Sequence, residues 1–387
     1  MLKVFVPKER RAGETRVAFT PDTVKKLVKE KVDVLVEAGA GLAASHLDKT
    51  YEAAGAKIVT DMPGVKDAWA TSDIVLKVTE AAENPDLGKH EADALKPGAI
   101  LVGLMSPHRN VDMVKRLLTN KVSTLALELV PRITRAQSMD VLSSQANIAG
   151  YKAVLLAAAN LPKYFPLLMT AAGTIQPARV VIMGAGVAGL QAIATAKRLG
   201  AVVEVSDIRP AVKEQVQSLG GKFIELPNLE SGEGQGGYAK EMSAEFIAKQ
   251  QEILSARIAQ ADVVITTALI PGRPAPKLVT AAMVERMKPG SVIIDLAVEQ
   301  GGNCELSELN KTVIKHGVKI IGESNLAASL ATDASTLFAR NVLSLLMLFA
   351  KGGELKLDLN DEVIKGTLLT HDGEIIHGPT KDAISKL

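Results

Sequence analysis

The stretch Val180–Asp207, VVIMGAGVAGLQAIATAKRLGAVVEVSD, decides the fold. Val180 to Met183 is a short apolar run of the kind that lies buried on both faces of a parallel sheet. Gly184, Gly186 and Gly189 follow in G-x-G-x-x-G spacing, and Leu190 to Leu199 reads as an Ala-rich helix stopped by Gly200. Ala201 to Val205 is a second apolar run, ending at Ser206-Asp207. Gly184 permits the tight turn, Gly186 lets the backbone approach a diphosphate, and Gly189 lets helix and strand pack closely. The diphosphate would rest on the unsatisfied N–H groups and positive dipole end of the helix. Asp207 falls 18 residues (207 − 189) beyond Gly189, where a carboxylate accepts hydrogen bonds from a ribose 2′-hydroxyl. Its charge would repel a 2′-phosphate, so the expected dinucleotide is NAD(H) rather than NADP(H). Glycines in this spacing also mark ordinary turns. Strand, glycines, helix, strand and acid arriving in order are what specify a nucleotide site. Arg209 is open to three roles: serving a 2′-phosphate, pairing with Asp207, or covering the adenine.

Outward from this unit, 387 residues with 47% hydrophobic content suggest two or three domains with substantial cores. A net charge of +2 and 3% aromatic residues give no nucleic-acid surface. The single Cys304 rules out an internal disulfide framework and fits a reducing compartment. The start, Leu2-Lys3-Val4-Phe5-Val6, has a strand pattern rather than a signal peptide, and Val342 to Ala350 is too short to span a bilayer. These features predict a soluble, cytoplasmic chain without direct membrane insertion.

The fold class expected is α/β, with two Rossmann-like doubly wound parallel-sheet domains joined by long helices. Strands are expected at 2–6, 32–36, 57–60, 74–78, 99–104 and 123–127, with a helix capped by Thr20 and opened by Pro21. These residues, 1–138 with 330–387, form one domain, and 139–329 form the nucleotide-binding domain. In the latter, runs at 222–226, 262–266, 291–296 and 318–322 join the two opening strands to make six. An Ala-rich helix over 144–161, capped by Ser143 or Ser144, would cross into the second domain. A helix over 333–350, ended by Gly352-Gly353, would return. His371-Asp372-Gly373 is a hairpin turn. The glycine-rich segment 231–238 reads as a surface loop or as a lid over bound nucleotide, with Tyr238 its apolar contact. The passage 130–145 gathers Arg132, Thr134, Arg135, Gln137, Ser138, Asp140, Ser143, Ser144 and Gln145, and reads either as a solvated linker with a capped helix start or as a ligand-binding passage, since it holds more polar groups than a cap needs. The histidines are scattered, and no spacing suggests a metal site.

Several long motifs now carry a resemblance. PRITRAQSMDVLSSQANIAGY (131–151) and MTAAGTIQPARVVIMGAGVAGLQAIATAKRLGA (169–201) are the longest. With them stand GGYAKEM (236–242), ITTALIPGRPAP (265–276), MKPGSVIIDLAVEQGGNCELS (287–307) and PKERRAGETRVAFTP (7–21). Together they resemble the NAD(H)-binding domain of the proton-translocating nicotinamide nucleotide transhydrogenases, whose fold is shared with alanine dehydrogenase. The resemblance makes Arg132, Gln137, Asp140 and Ser143 the residues that hold the reacting nicotinamides. It makes Arg132, Ile133, Thr134, Gln137, Gly184, Gly186, Val187, Gly189, Asp207, Ile208, Arg209, Gly237, Tyr238, Gln250, Ala268 and Leu269 the NAD(H) contacts, and it places Tyr238 at the tip of a mobile loop.

Chemistry separates the two relatives. Hydride transfer between two nicotinamide rings needs positioning and no general acid or base, whereas alanine oxidation needs an Arg, a Lys and a His. Arg16 and Lys77 resemble the first two of these, but the histidine expected near Leu104-Met105-Ser106 is missing, His108 lies in a displaced Pro-His-Arg loop, and Glu299 stands where the dehydrogenase has an Asp. The resemblance therefore implies a transhydrogenase subunit passing hydride from NADH to NADP+ held on a partner. Membrane-spanning and NADP-binding subunits would be those partners, coupling transfer to proton movement, and the chain would form a homodimer peripheral to the membrane. The alternatives are a free-standing alanine dehydrogenase and a non-catalytic NAD sensor. Gln137, Asp140 and Tyr238 argue against the sensor.

Overall fold

The computed structural model describes residues 1–225, 244–270 and 273–384, without the side chains of 244–248 and 250. The segment 231–238, with Gly237 and Tyr238, lies outside the described residues. Gln250 lies on the helix Ala244–Gln260, but its side chain is among those left out. The chain divides into two compact units, Met1–Gln145 with Ala328–Leu387, and Ala146–Ala327.

In the first unit the sheet order is Lys57–Val59, Asp33–Glu37, Lys3–Val6, Ile74–Leu76, Ile100–Gly103, Ser123–Ala126, all parallel. The chain winds outward in both directions from Lys3–Val6, as the α/β expectation requires. Val4 and Val6 face one core and Phe5 the other, so the strand beyond Lys3 is apolar on both faces rather than alternating. Two antiparallel strands from the end of the chain extend this sheet, Leu368–His371 beside Ser123–Ala126 and then Glu374–Ile375. The Asp372-Gly373 hairpin turn is present, with φ of 48° and 81° at its two residues. Its placement on the sheet edge was not legible, because nothing local marks a strand partner so distant in the chain.

The second unit has the order Lys222–Phe223, Val202–Ser206, Arg179–Met183, Val263–Thr266, Val292–Asp295, Val318–Ile321, parallel throughout. Val180 and Ile182 enter one core, and Val181 and Met183 the other. A seventh strand, Thr312–Lys315, is antiparallel at the edge and was not expected. Its exposed, mixed sequence reads as loop because only one of its edges is paired.

Three helix expectations need correction. The helix after the glycines starts at Val187, not Leu190, because helical hydrogen bonding begins at the turn itself. The long helix runs Val141–Asn160, and its cap is Asp140: the carboxylate accepts from Ser143 N–H at 2.9 Å and Ser143 Oγ–H at 2.5 Å. This helix carries the chain into the second unit. The other long helix, Ala331–Leu346, lies wholly in the first unit, and the return precedes it, at Ala328. It ends four residues earlier than expected (350 − 346). Gly352-Gly353 instead turns a short hairpin of Ala350–Lys351 with Glu354–Leu355. Among the described residues no helix is long and apolar enough to cross a membrane.

Candidate functional site

In the second unit the strand order reverses between Arg179–Met183 and Val263–Thr266, and the carboxyl ends of these neighbours flank a switch-point crevice. Gly184 follows the first strand with φ of +105°, a conformation closed to residues with a side chain. Its N–H bonds the carbonyl of Ser206 at 2.8 Å, tying the turn to the next strand. A Cβ on Gly189 would lie 1.9 Å from the Gly184 carbonyl oxygen, so this glycine is required by packing. Around Gly186 the opposite holds: a Cβ there would meet nothing within 4 Å. Gly186 is the helix N-cap, and its carbonyl accepts the first helical bond from Leu190 N–H at 2.8 Å. The open space over Gly186 thus lies where the first-turn N–H groups have no helical acceptor, as a bound diphosphate needs. Val187, partly exposed, borders the same space.

Asp207 ends the neighbouring strand, buried and fully engaged. Its Oδ2 accepts from Ala185 N–H at 2.7 Å and from Arg209 Nη2 at 2.7 Å. Its Oδ1 accepts from Arg209 N–H at 2.8 Å and Arg209 Nε at 2.9 Å. Of the three roles open to Arg209, this structure shows pairing with Asp207, with Ile208 partly buried between them in sequence. Across the crevice, Thr267 donates its N–H to Met183 C=O at 2.8 Å and its hydroxyl to Gly184 C=O at 3.2 Å, which sets Ala268 and Leu269 beside the glycine turn. This unit therefore assembles Gly184, Gly186, Val187, Gly189, Asp207, Ile208 and Arg209, with Ala268 and Leu269 as the facing wall. Ser206 Oγ is buried there without a partner among the described residues.

Sequence reasoning missed three supports of this site. Gly150, mid-helix in Val141–Asn160, lets that helix press on the nucleotide helix, since a Cβ there would sit 2.1 Å from Ala188 C=O. A glycine inside a helical pattern was the available signal. Asp295 is buried with five donors, namely Thr266 Oγ1, Ala297 N, Asn303 N, Cys304 N and Ser307 Oγ. Asn303, also fully buried, clasps the Ala268 peptide.

The first unit holds the other expected group. Thr134–Met139 forms a 3-10 turn whose Ala136 and Met139 are buried, leaving Arg132, Thr134 and Gln137 exposed and Ile133 partly covered. Asp140 and Ser143 are bound to each other as helix cap. The loop is braced from behind: Arg135 pairs with Asp361, Asn341 Nδ2 donates to Ser138 C=O at 2.8 Å, and Ser144 Oγ donates to Asn341 at 2.7 Å.

Arg16 and Lys77 are buried and committed elsewhere. Arg16 forks onto Glu14 at 2.8 and 2.7 Å and donates to Gln145 at 2.9 Å. Lys77 lies between Glu91 at 2.9 Å and Glu9 at 3.3 Å. Burial pushes the Glu9 carboxyl up, against the pull of Lys77, Thr79 and the Val78 N–H. The Lys77 ammonium is raised: burial lowers it, and the two glutamates outweigh that. In the loop 104–110, Glu128 accepts from Met105 and Ser106 N–H, which fixes Ser106 at φ of 44°, while His108 is exposed.

Comparison with known proteins fits this geometry. The profile "Alanine dehydrogenase/PNT, N-terminal domain" matches residues 5–149, and "Alanine dehydrogenase/PNT, C-terminal domain" matches 153–378. The chain belongs to the alanine dehydrogenase/PNT family. Within that family it is 51% identical to a polypeptide of the NAD(P) transhydrogenase alpha subunit of Rhodospirillum rubrum, over 97% of this chain and 98% of that one. A solved transhydrogenase structure from Sinorhizobium meliloti superposes with a TM-score of 0.86 at 46% identity, covering 96% of this chain and 99% of the other. An alanine dehydrogenase from Methanococcus maripaludis is 31% identical over 99% of this chain and 95% of its own. This chain is a transhydrogenase-type oxidoreductase.

Proposed function

We propose that this chain is the NAD(H)-binding subunit of a proton-translocating transhydrogenase, delivering hydride from NADH to NADP+ held by a partner subunit. The observation that carries the reading is the open cradle over Gly186, framed by a helix N-terminus on one side and by Asp207 on the other. The diphosphate would take the N–H groups of the first helical turn, and the adenosine ribose would reach Asp207. Val187, Ile208 and Arg209 would border the adenosine half, and Ala268 and Leu269 the nicotinamide half. Bound NADH supplies the hydride itself.

Arg132, Ile133, Thr134, Gln137, Asp140 and Ser143 then act by orienting rings, and no proton need move through them. The exposure of Arg132, Thr134 and Gln137 suits a loop over which an NADP-binding subunit docks. Gly237, Tyr238 and Gln250 complete the assignment as lid and lid-side contacts. Membrane attachment and proton coupling would come from the partner subunits. A homodimer belongs to the same reading, supported by the exposed apolar side chains Tyr164, Leu167 and Met169 in the second unit. Arg16 and Lys77, each locked to carboxylates, argue against alanine oxidation.

The test is a purified chain assayed with NADH and an NADP analogue, with and without an NADP-binding partner. Transfer that appears only with the partner, and no alanine-dependent reduction of NAD+, is expected. Robust alanine oxidation by the chain alone would overturn the reading in favour of alanine dehydrogenase.

A further inference from the structure

The Thr267–Leu269 segment is one wall of the switch-point crevice; Thr267 is tied to Met183 and Gly184, but the Ala268 peptide beyond it has no strand neighbour. What holds that peptide is one side chain. Asn303, fully buried, accepts the Ala268 N–H on Oδ1 at 3.0 Å and returns a hydrogen bond from Nδ2 to the Ala268 carbonyl at 2.9 Å. The second Nδ2 proton goes to Pro276 C=O at 2.8 Å. A primary amide thereby does for Ala268 what a neighbouring strand does in a sheet, engaging both peptide groups of one residue.

Asn303 is itself anchored. Its N–H bonds Asp295 Oδ1 at 3.2 Å, and its carbonyl accepts Leu278 N–H at 2.8 Å and Val279 N–H at 3.0 Å. Thr267, one residue before the clasped peptide, is tied to Met183 and Gly184 on the other wall. The chain from Asn303 to the glycine turn is continuous: hydrogen bonds join Asn303 to Ala268 and Thr267 to the turn, and one peptide bond joins Ala268 to Thr267.

We propose that Asn303 is a positioning residue, whose amide sets the wall of Ala268 and Leu269 against which the nicotinamide half of the dinucleotide is seated. This deepens the NAD(H) reading and rests on it. Asn303 touches no nucleotide; it acts through Ala268. Loss of the clasp therefore weakens the nicotinamide half of the ligand and spares the adenosine half, which is held by the glycine turn and Asp207. General unfolding weakens both halves together.

The experiment measures binding of NADH and of ADP-ribose to the full chain by calorimetry, alongside thermal melts. In Asn303→Ala, NADH affinity falls about tenfold, the loss expected of a seat displaced by one hydrogen bond, while ADP-ribose stays within about threefold. Asn303→Asp supplies a second, independent reading should the alanine variant not fold. Its carboxyl group, when protonated, keeps an acceptor for Ala268 N–H and a donor for a carbonyl. When ionised, it faces two carbonyl oxygens with no donor. Its NADH-to-ADP-ribose preference should therefore recover toward wild type as pH falls from about 8 to about 5.5, and the wild type should show no such trend. Equal losses for both ligands in Asn303→Ala, wild-type NADH affinity in a folded Asn303→Ala, or a pH-independent preference in Asn303→Asp would each overturn the inference. A wild-type chain that binds neither ligand would overturn the NAD(H) reading itself.

Discussion

Gly186 and Gly150 are both glycines of the nucleotide-binding unit, yet replacing each with alanine should produce opposite phenotypes. Gly186 has φ of −73° and ψ of −171°, which alanine adopts freely, and its new Cβ meets nothing within 4 Å. Losing a glycine N-cap costs up to about 1 kcal/mol. Restricting the unfolded chain returns about 0.4–1 kcal/mol, so stability should change by no more than about 1 kcal/mol in either direction. The methyl instead occupies the space assigned to the diphosphate. Displacing even one charge-assisted N–H bond costs about 1.5–3 kcal/mol, an affinity loss of roughly 10- to 150-fold for NADH.

Gly150→Ala brings a Cβ to 2.1 Å from Ala188 C=O and 2.9 Å from Ala188 Cα. That is backbone, and it yields only if the two helices part. Alanine gains about 0.5–1 kcal/mol of helix propensity, but overpacking against backbone belongs at the upper end of its range, about 3 kcal/mol, so a net loss of about 2 kcal/mol is expected. Urea unfolding and calorimetric titration with NADH on the same preparations separate the two effects. Gly186→Ala should be stable and binding-deficient, and Gly150→Ala unstable. A Gly186→Ala protein that binds NADH like the wild type would refute the diphosphate assignment.

Asp207→Ala should narrow the preference for NADH over NADPH, measured as the ratio of dissociation constants. Because Asp207 spends its carboxylate on Ala185 and Arg209, Arg209→Ala should widen that preference by exposing the uncompensated charge to a 2′-phosphate. An unchanged ratio in both variants would remove Asp207 from the ribose site. Gln137→Asn should slow single-turnover hydride transfer at least about tenfold while leaving NADH affinity within a factor of about three, the pattern of a group that orients rather than anchors. Weaker binding with an unchanged transfer rate would refute that role. Lys77→Met leaves Glu9 and Glu91 buried without their cation and should cost about 3–5 kcal/mol in urea unfolding at neutral pH. The raised Glu9 carboxyl makes its contribution fully present below its unfolded value of 4.5 and lost as pH rises through the folded value. The Lys77→Met deficit should accordingly be smaller at about pH 5 than at about pH 8, and a deficit flat across that window would show that the cluster does not titrate.

Short-range pattern carried much of this protein. The central parallel strands of each sheet, such as Ile74–Leu76, Ile100–Gly103, Val263–Thr266 and Val292–Asp295, are largely apolar because both faces are buried, and that burial leaves a mark in a window of about five residues. The glycine turn and Asp207 were legible for the same reason: their roles are backbone conformation, close approach and charge, all within the single stretch Val180–Asp207. The Thr20-Pro21 helix start was equally local. Tertiary structure alone decided the rest. The antiparallel strand Leu368–His371 takes its place by pairing with Ser123–Ala126, and Thr312–Lys315 by pairing with Val318–Ile321. That Gly150 fits against Ala188, that Arg209 spends itself on Asp207, and that Asn303 clasps Ala268 depend on which surfaces the fold brings into contact. Arg16 and Lys77 make the same point most sharply. In sequence they are a cation pair free to bind a carboxylate substrate; in the fold Glu14, Glu9 and Glu91 already supply the carboxylates. Residue type sets what a side chain is able to bind, and only the folded neighbourhood sets what it has bound.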